Sequence, residues 1–252
     1  LSSFDTVTTL ILSRLASFLP FFEVIPEILA NFVTNKGPMI VDYTERSIYR
    51  MTHYSNVCDV LQHGICSSHH PDAHPETYFN IGNPTLIEQR DSHRIGINPP
   101  GGCMGEYIPF YFGGHSPMLY QIMTGYGVKQ IPQCDIVFFE CTIKDVIREC
   151  SEWCFTDGHA KNNFTTFYNR IEDLVYVDWN VVTARWWRST DDDLDRQRRK
   201  QAEFLVKDCV PAHCIKHIYL FSPEHYSEIE SYIQETELSI PIIIDSNRKL
   251  YY

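Results

Sequence analysis

Between residues 66 and 105 the chain is rich in His, Pro, Gly and Asn and shows no sustained hydrophobic period, neither the alternation of a strand nor the spacing of a helix. Few folds tolerate this, because a connection of that length inside a compact domain is uncommon and is usually kept for function. Ligand contacts are therefore expected in this stretch. Regular elements should lie on either side of it.

Upstream, Ile48-Tyr49-Arg50-Met51-Thr52 reads as a short strand ending at His53. Ser55 is expected to cap a helix whose inner face is Val57, Val60 and Leu61 and whose stop is Gly64. Downstream come an aromatic run, Tyr107-Ile108-Pro109-Phe110-Tyr111-Phe112, and a turn, Gly113-Gly114-His115-Ser116-Pro117, leading into Met118-Leu119-Tyr120. Further strands are predicted at 135–141, 153–156, 201–206, 217–221, 241–245 and 249–252, with a helix over 224–236. No internal repeat, G-x-G-x-x-G or P-loop is present, so a Rossmann or NTPase reading has no motif behind it.

With 252 residues, 44% of them hydrophobic, the chain can fill one globular domain and carry an appendage. A net charge of -11 argues against general attraction to nucleic acid or anionic lipid, so either partner would need a local basic patch. The 9 cysteines include no C-x-x-C and read as reduced thiols of a cytoplasmic protein. His69, His70 and His74 share a loop, but no thiol or carboxylate stands at the compact spacing of a structural zinc site, and no metal is expected.

Residues 1–40 hold apolar runs, Leu10-Ile11-Leu12 and Phe18-Leu19-Pro20-Phe21-Phe22, broken by Arg14, Glu23, Pro26 and Glu27. None reaches the roughly 20 residues of a membrane span, and a signal peptide's basic start and cleavage site are missing. The segment reads as a helical arm or partner-binding extension, bounded by Asn35-Lys36-Gly37-Pro38, with the main domain at 41–252.

One acid draws notice. Arg198-Arg199-Lys200-Gln201-Ala202-Glu203 sets a carboxylate behind a block of cations at a strand mouth. Taken alone this is equally a solvated turn in which Glu203 pairs with Arg199 or Lys200. Arg185-Trp186-Trp187-Arg188, followed by Arg196, Arg198, Arg199 and Lys200, interleaves cations with indoles as single-stranded nucleic acid requires. Asp191, Asp192, Asp193 and Asp195 interrupt it, and a charged loop anchored by a tryptophan is the competing reading.

Five blocks in order give these pieces a common meaning: Tyr49-Arg50-Met51-Thr52-His53; Asn80-Ile81-Gly82-Asn83-Pro84 with Leu86-Ile87 and Arg90; Ile108-Pro109-Phe110-Tyr111-Phe112 with Ser116-Pro117-Met118-Leu119-Tyr120; Phe155-Thr156-Asp157-Gly158-His159-Ala160; and Gln201-Ala202-Glu203. From about Ile48 to the end the chain resembles the DarT family, toxins of DarT-DarG pairs that attach ADP-ribose from NAD to a base in single-stranded DNA. The resemblance implies an α+β, mono-ADP-ribosyltransferase-like fold: a split, twisted β-sheet core with peripheral helices and NAD in the cleft between the halves. The family modifies thymine N3 and a related branch modifies guanine; the Asn80 to Pro84 block is closer to the thymine branch.

By the same resemblance Glu203 would hold the ribose 2′-hydroxyl and Arg90 would prepare the base, both as catalytic residues. At a strand mouth, Glu203 is expected to be dispensable for the fold. Arg90 would also touch NAD, as would His53 with Tyr54 and Ser55; Tyr111, Met118, His159, Arg188, Arg198 and Arg199 would meet DNA. The residues themselves leave other roles open: a core histidine at 53, core packing for Tyr111 and Met118, and an Arg90 ion pair with Asp91 or Glu88. Expected partners are single-stranded DNA and a DarG-type antitoxin, with no membrane. Transfer to RNA or protein, NAD hydrolysis, or a non-enzymatic DNA-binding module are the alternatives.

Overall fold

Alternate residues of the central strands enter different apolar clusters, so the main sheet is covered on both faces. In β4 (Ile136–Thr142), Phe139 and Cys141 join one cluster and Phe138 the other; in β1 (Ser47–His53), Ile48 joins the first and Tyr49 and Met51 the second. That is why β4 reads as a continuous apolar run and not an alternating one. Its buried acid, Glu140, is satisfied by the Tyr49 and Tyr219 hydroxyls and by His217.

The computed structural model describes residues 41–74 and 76–252. The expected arm at 1–40 and its boundary lie outside them. The remaining strands are β2 (Ile65–Cys66), β3 (Tyr107–Tyr111), β5 (Trp153–Thr156), β6 (Phe167–Tyr168), β7 (Glu203–Lys207), β8 (Cys209–Val210), β9 (His217–Leu220) and β10 (Ile242–Ile244). Eight form one sheet in the order β10-β9-β4-β1-β3-β7-β5-β6, antiparallel except for β9 and β10, while β2 and β8 pair separately.

The sheet is split. β1 aligns with β4 from Ser47 opposite Thr142 to His53 opposite Ile136, yet it meets β3 only where Tyr49 faces Tyr111. One face keeps a continuous core across the split, with Ile48, Phe139, Phe110 and Phe204 packed against α1 (Val57–His63), α4 (Ile143–Glu149) and α7 (Tyr226–Gln234). On the other face the core is interrupted. Tyr49, Met51 and Phe138 pack with α3 (Pro117–Thr124), and Tyr107, Cys154 and Leu205 form a separate cluster with Met104 and Ala160.

Four local expectations are corrected. The aperiodic stretch contains a helix, α2 (Pro84–Ser92), capped by Asn83, whose side chain accepts from the Leu86 amide at 3.1 Å; none of its residues is buried, so no apolar stripe announced it. Met118 to Tyr120 belong to α3, which Ser116 caps and which ends at Gly125 in the left-handed region at φ 73°. Asn56, not Ser55, precedes α1, and its side chain is used elsewhere. The segment 249–252 forms no strand, because the amides of Lys249, Leu250 and Tyr251 turn onto the Asp245 carboxylate.

Candidate active site

Glu203 is placed by the strand pairing. It opens β7 opposite Tyr111, the β3 residue that pairs with β1 across the split, and its amide donates to Thr156 Oγ1 at 3.0 Å. The residue is 1% exposed. An isolated buried carboxylate would be very costly, so it must be paired. Arg90, reaching from α2, supplies the counter-charge in a forked arrangement, Nη2 to Oε2 at 3.0 Å and Nη1 to Oε1 at 3.4 Å, and the Ala160 amide donates to Oε1 at 3.4 Å.

Burial raises the Glu203 pKa, but Arg90, His159 and the Ala160 amide outweigh it and hold the carboxyl below its ordinary value. Burial likewise works against the Arg90 charge, and Glu203 more than compensates. The pair is therefore ionised at neutral pH. Burial lowers the pKa of His159 against the pull of Glu203, which favours a neutral imidazole beside the pair. Burial also pushes the Tyr111 hydroxyl well above the usual tyrosine range, with Glu203 adding to it, so Tyr111 stays protonated.

A cavity of about 330 Å³ opens at the split and is lined from both half-sheets, by Arg50 and Met51 of β1 on one side and Tyr107 and Tyr111 of β3 on the other, with Met104 and Met118 closing it. Arg90, Glu203 and His159 line it too. Five of the residues expected from the sequence, Glu203, Arg90, Tyr111, Met118 and His159, thus converge on one cavity.

The others stand apart from it. His53 accepts from the Ser55 amide at 3.3 Å and stacks on Phe79 with ring centroids 4.0 Å apart, while Tyr54 stacks on His225. None of His53, Tyr54 and Ser55 is part of the cavity lining. Arg188 lies in a second hollow with Tyr120 and Trp187, its guanidinium 5.6 Å from each ring centroid. Arg198 is tied to Asp157 at 2.9 Å and to Asp195 at 2.7 Å, and Arg199 to Asp178, Asp193 and Asp195. Lys200 is buried, donates to the Val182 and Ala184 carbonyls, and burial brings its pKa down to about 7. Neither Arg199 nor Lys200 is hydrogen-bonded to Glu203, which pairs with Arg90.

Arg198 shapes the site at one remove. Its carbonyl accepts from the His159 amide at 3.0 Å, and its guanidinium, packed against Gly158, also reaches Thr165 at 3.3 Å, so it braces the turn that carries His159 and Ala160. A second brace was missed in the sequence. Asn56 donates to Thr52 Oγ1 at 2.8 Å and to the Phe79 carbonyl at 2.9 Å and accepts from the Phe79 amide at 2.8 Å, while Tyr78 bonds Thr52 at 2.9 Å. These bonds pin the 78–80 segment to β1. Asn56 follows the strand as an ordinary helix-start residue, so only its burial reveals the task.

Comparisons with known proteins agree with this geometry. The family model described as DarT, ssDNA thymidine ADP-ribosyltransferase, matches residues 49–252. A DNA ADP-ribosyl transferase of Escherichia coli O127:H6 is 32% identical over 197 residues, covering 77% of this chain and 89% of that protein. Thermus sp. 2.9 DarT in complex with ADP-ribosylated ssDNA superposes with a TM-score of 0.72 at 28% identity, over 82% of this chain and 97% of that one. The same Thermus protein in complex with NAD+ gives 0.67 at 26% identity, over 82% and 98%. The split sheet, the arginine paired with a buried glutamate and these likenesses together identify the chain as a member of the DarT family of DNA ADP-ribosyltransferases.

Proposed function

We propose that this chain transfers ADP-ribose from NAD to N3 of thymine in single-stranded DNA, with Glu203 acting on the ribose and Arg90 on the base. Transfer of ADP-ribose from NAD to DNA is the family's activity, and likeness to a Thermus DarT solved with NAD+ and with ADP-ribosylated ssDNA supports it here. Thymine as the target rests on the description of the matching family and on the Asn80 to Pro84 block, whose first four residues line the cavity. The observation that carries the residue roles is the ionised Arg90-Glu203 pair inside the cavity at the split.

The bond that breaks joins the ribose to a cationic nicotinamide. Its electron pair leaves with the nicotinamide nitrogen, and positive charge grows on the ribose. Glu203 accepts a hydrogen bond from the 2′-hydroxyl and faces this charge, so it stabilises the transition state more than the ground state. Glycosidases meet an oxocarbenium-like ribose or pyranose with carboxylates for the same reason. Thymine N3 loses its proton to solvent and bonds to the ribose carbon. Arg90 stays charged, since a guanidinium does not give up its proton, and it lowers the pKa of the imide and holds the anion in line.

Both residues are engaged with one another before substrate arrives, so binding must redistribute their bonds: the hydroxyl takes one carboxylate lone pair and the base one guanidinium edge. Tyr111 and Met118 offer the base a contact surface, and His159 lies on the DNA side. DNA following from the cavity is assigned to Arg188 with Trp187 and Tyr120, whereas Arg198 and Arg199, already neutralised by carboxylates, are assigned to the scaffold. His53, Tyr54 and Ser55 act on NAD through the segment that His53 and Phe79 anchor.

A DNA target implies the compartment that holds DNA, the cytoplasm, and a DarG-type partner that reverses the modification fits the family's toxin-antitoxin pairing. Among the described residues no helix is long and apolar enough to cross a membrane. Incubation with NAD and two oligonucleotides, one carrying thymine without guanine and one the reverse, followed by mass spectrometry, tests the assignment. ADP-ribose on the thymine strand alone is expected. Modification of guanine, or free ADP-ribose with unmodified DNA, contradicts it.

A further inference from the structure

We propose that Cys66, Cys209 and His70 form a zinc-binding site that ties the wall of the active-site cavity to the catalytic strand. The sequence predicts no metal site because its thiols lie far apart along the chain. Strand pairing brings two of them together: β2 and β8 run antiparallel with Cys66 directly opposite Cys209. Both thiols donate to the same acceptor, the His63 carbonyl, at 3.5 Å each. The turn after β2, closed by the His70 amide on the Ser67 carbonyl at 3.1 Å, then carries the His70 imidazole over the pair.

The donor atoms of these three residues lie within 4.8 Å of one another, and all three residues are half-buried. Around a tetrahedral zinc the same atoms would stand about 3.5–3.8 Å apart, from metal-sulfur bonds of about 2.3 Å and metal-nitrogen bonds of about 2.0 Å. Closing that difference needs only small side-chain movements. Two sulfurs and one imidazole favour a borderline-soft divalent ion over magnesium or calcium. Asp72 holds the ring in place, its amide donating to His70 Nδ1 at 3.2 Å, which leaves Nε2 as the nitrogen for a metal once its proton is released.

Two other groupings do not make the same case. Asp59 already binds His63 at 3.0 Å and His74 at 2.7 Å in direct hydrogen bonds, and Asp135 beside Cys134 is taken by His225 at 3.0 Å. The Cys66 site also has a structural purpose. Cys66, Ser67, Ser68 and His74 line the cavity, and Cys209 lies two residues beyond the end of β7, whose first residue is Glu203. A metal here would fix the cavity wall without entering the chemistry.

The test is direct metal loading of the reduced full chain with zinc alone, and with cobalt as a spectroscopic probe. About one zinc per chain is expected, with a cobalt-thiolate charge-transfer band and a tetrahedral ligand-field band. Cys209→Ser and His70→Ala, each checked for folding by circular dichroism, should weaken zinc binding at least about tenfold and lose or shift those bands. Absence of the thiolate band in the reduced protein overturns the proposal, as does unchanged zinc affinity in both variants. A Cys66 to Cys209 disulfide in protein isolated without reductant, with no metal uptake after reduction, would show that the pair serves redox chemistry instead.

Discussion

Arg90 and Arg198 both meet carboxylates, and the difference between the two meetings is the basis for proposing a reactive role for one and a scaffold role for the other. Arg90 shares one buried glutamate beside a cavity, so a substrate can claim part of either partner. Arg198 is held by two aspartates and a threonine, and its neighbour Arg199 by three aspartates, which leaves little charge to offer a phosphate. A guanidinium whose edges are all taken up in a shared carboxylate network is a brace. One balanced by a single acid next to open space can be recruited.

The sharpest way to break this contrast is Glu203→Gln. Nicotinamide release should fall by about 10²–10³-fold, the scale of losing one preorganised electrostatic contact, while NAD still binds. Arg90→Ala should cost transfer to DNA roughly a hundredfold, measured by mass spectrometry of the oligonucleotide. Removing the acid outright has a second cost: Glu203→Ala leaves the half-buried Arg90 charge without its acid and should destabilise the fold by about 3–5 kcal/mol in denaturant titration. That differs from the sequence expectation of a dispensable strand-mouth residue, because the carboxylate is 1% exposed.

Acid provides an intermediate test. The Glu203 pKa is lowered on folding, so its contribution to stability is fully present above the ordinary carboxyl value and is lost as pH falls through the lower folded value. Thermal melts should therefore be insensitive to Glu203→Gln only at low pH, with the wild-type advantage appearing as pH rises. On the scaffold side, Arg198→Ala should lower stability by about 1–3 kcal/mol and leave the salt slope of single-strand binding unchanged. Arg188→Ala should do the reverse, shrinking that slope by about 0.7 with stability altered by less than about 0.5 kcal/mol.

Much of the fold could be read from the chain because its strands carry their own signal. The strand at 153–156 is observed over those residues, and β1, β4 and β9 differ from expectation by a residue at their ends. Helix α2 could not be read, since it buries no residue and exists to aim Arg90 inward. The resemblance singles out Arg90 and Glu203 separately, and their pairing comes only from the structure. By sequence distance Asp91 and Glu88 were nearer partners, and only the tertiary fold brings Arg90 to Glu203, 113 residues away. Cations at 198 and 199 are expected on a DNA track from composition, which reports charge but not the carboxylates that pair with both of them here. Asn56 and the Cys66 to Cys209 pairing were hidden for a related reason, since burial and strand register bring together residues that local spacing keeps apart.

The most direct test of the central claim is a crystal structure of this chain with a non-hydrolysable NAD analogue bound. The Glu203 carboxylate should accept the ribose 2′-hydroxyl at about 2.6–3.2 Å, with Arg90 turned at least partly toward the base position. A ribose bound elsewhere, with Arg90 and Glu203 still fully engaged with each other, would contradict it.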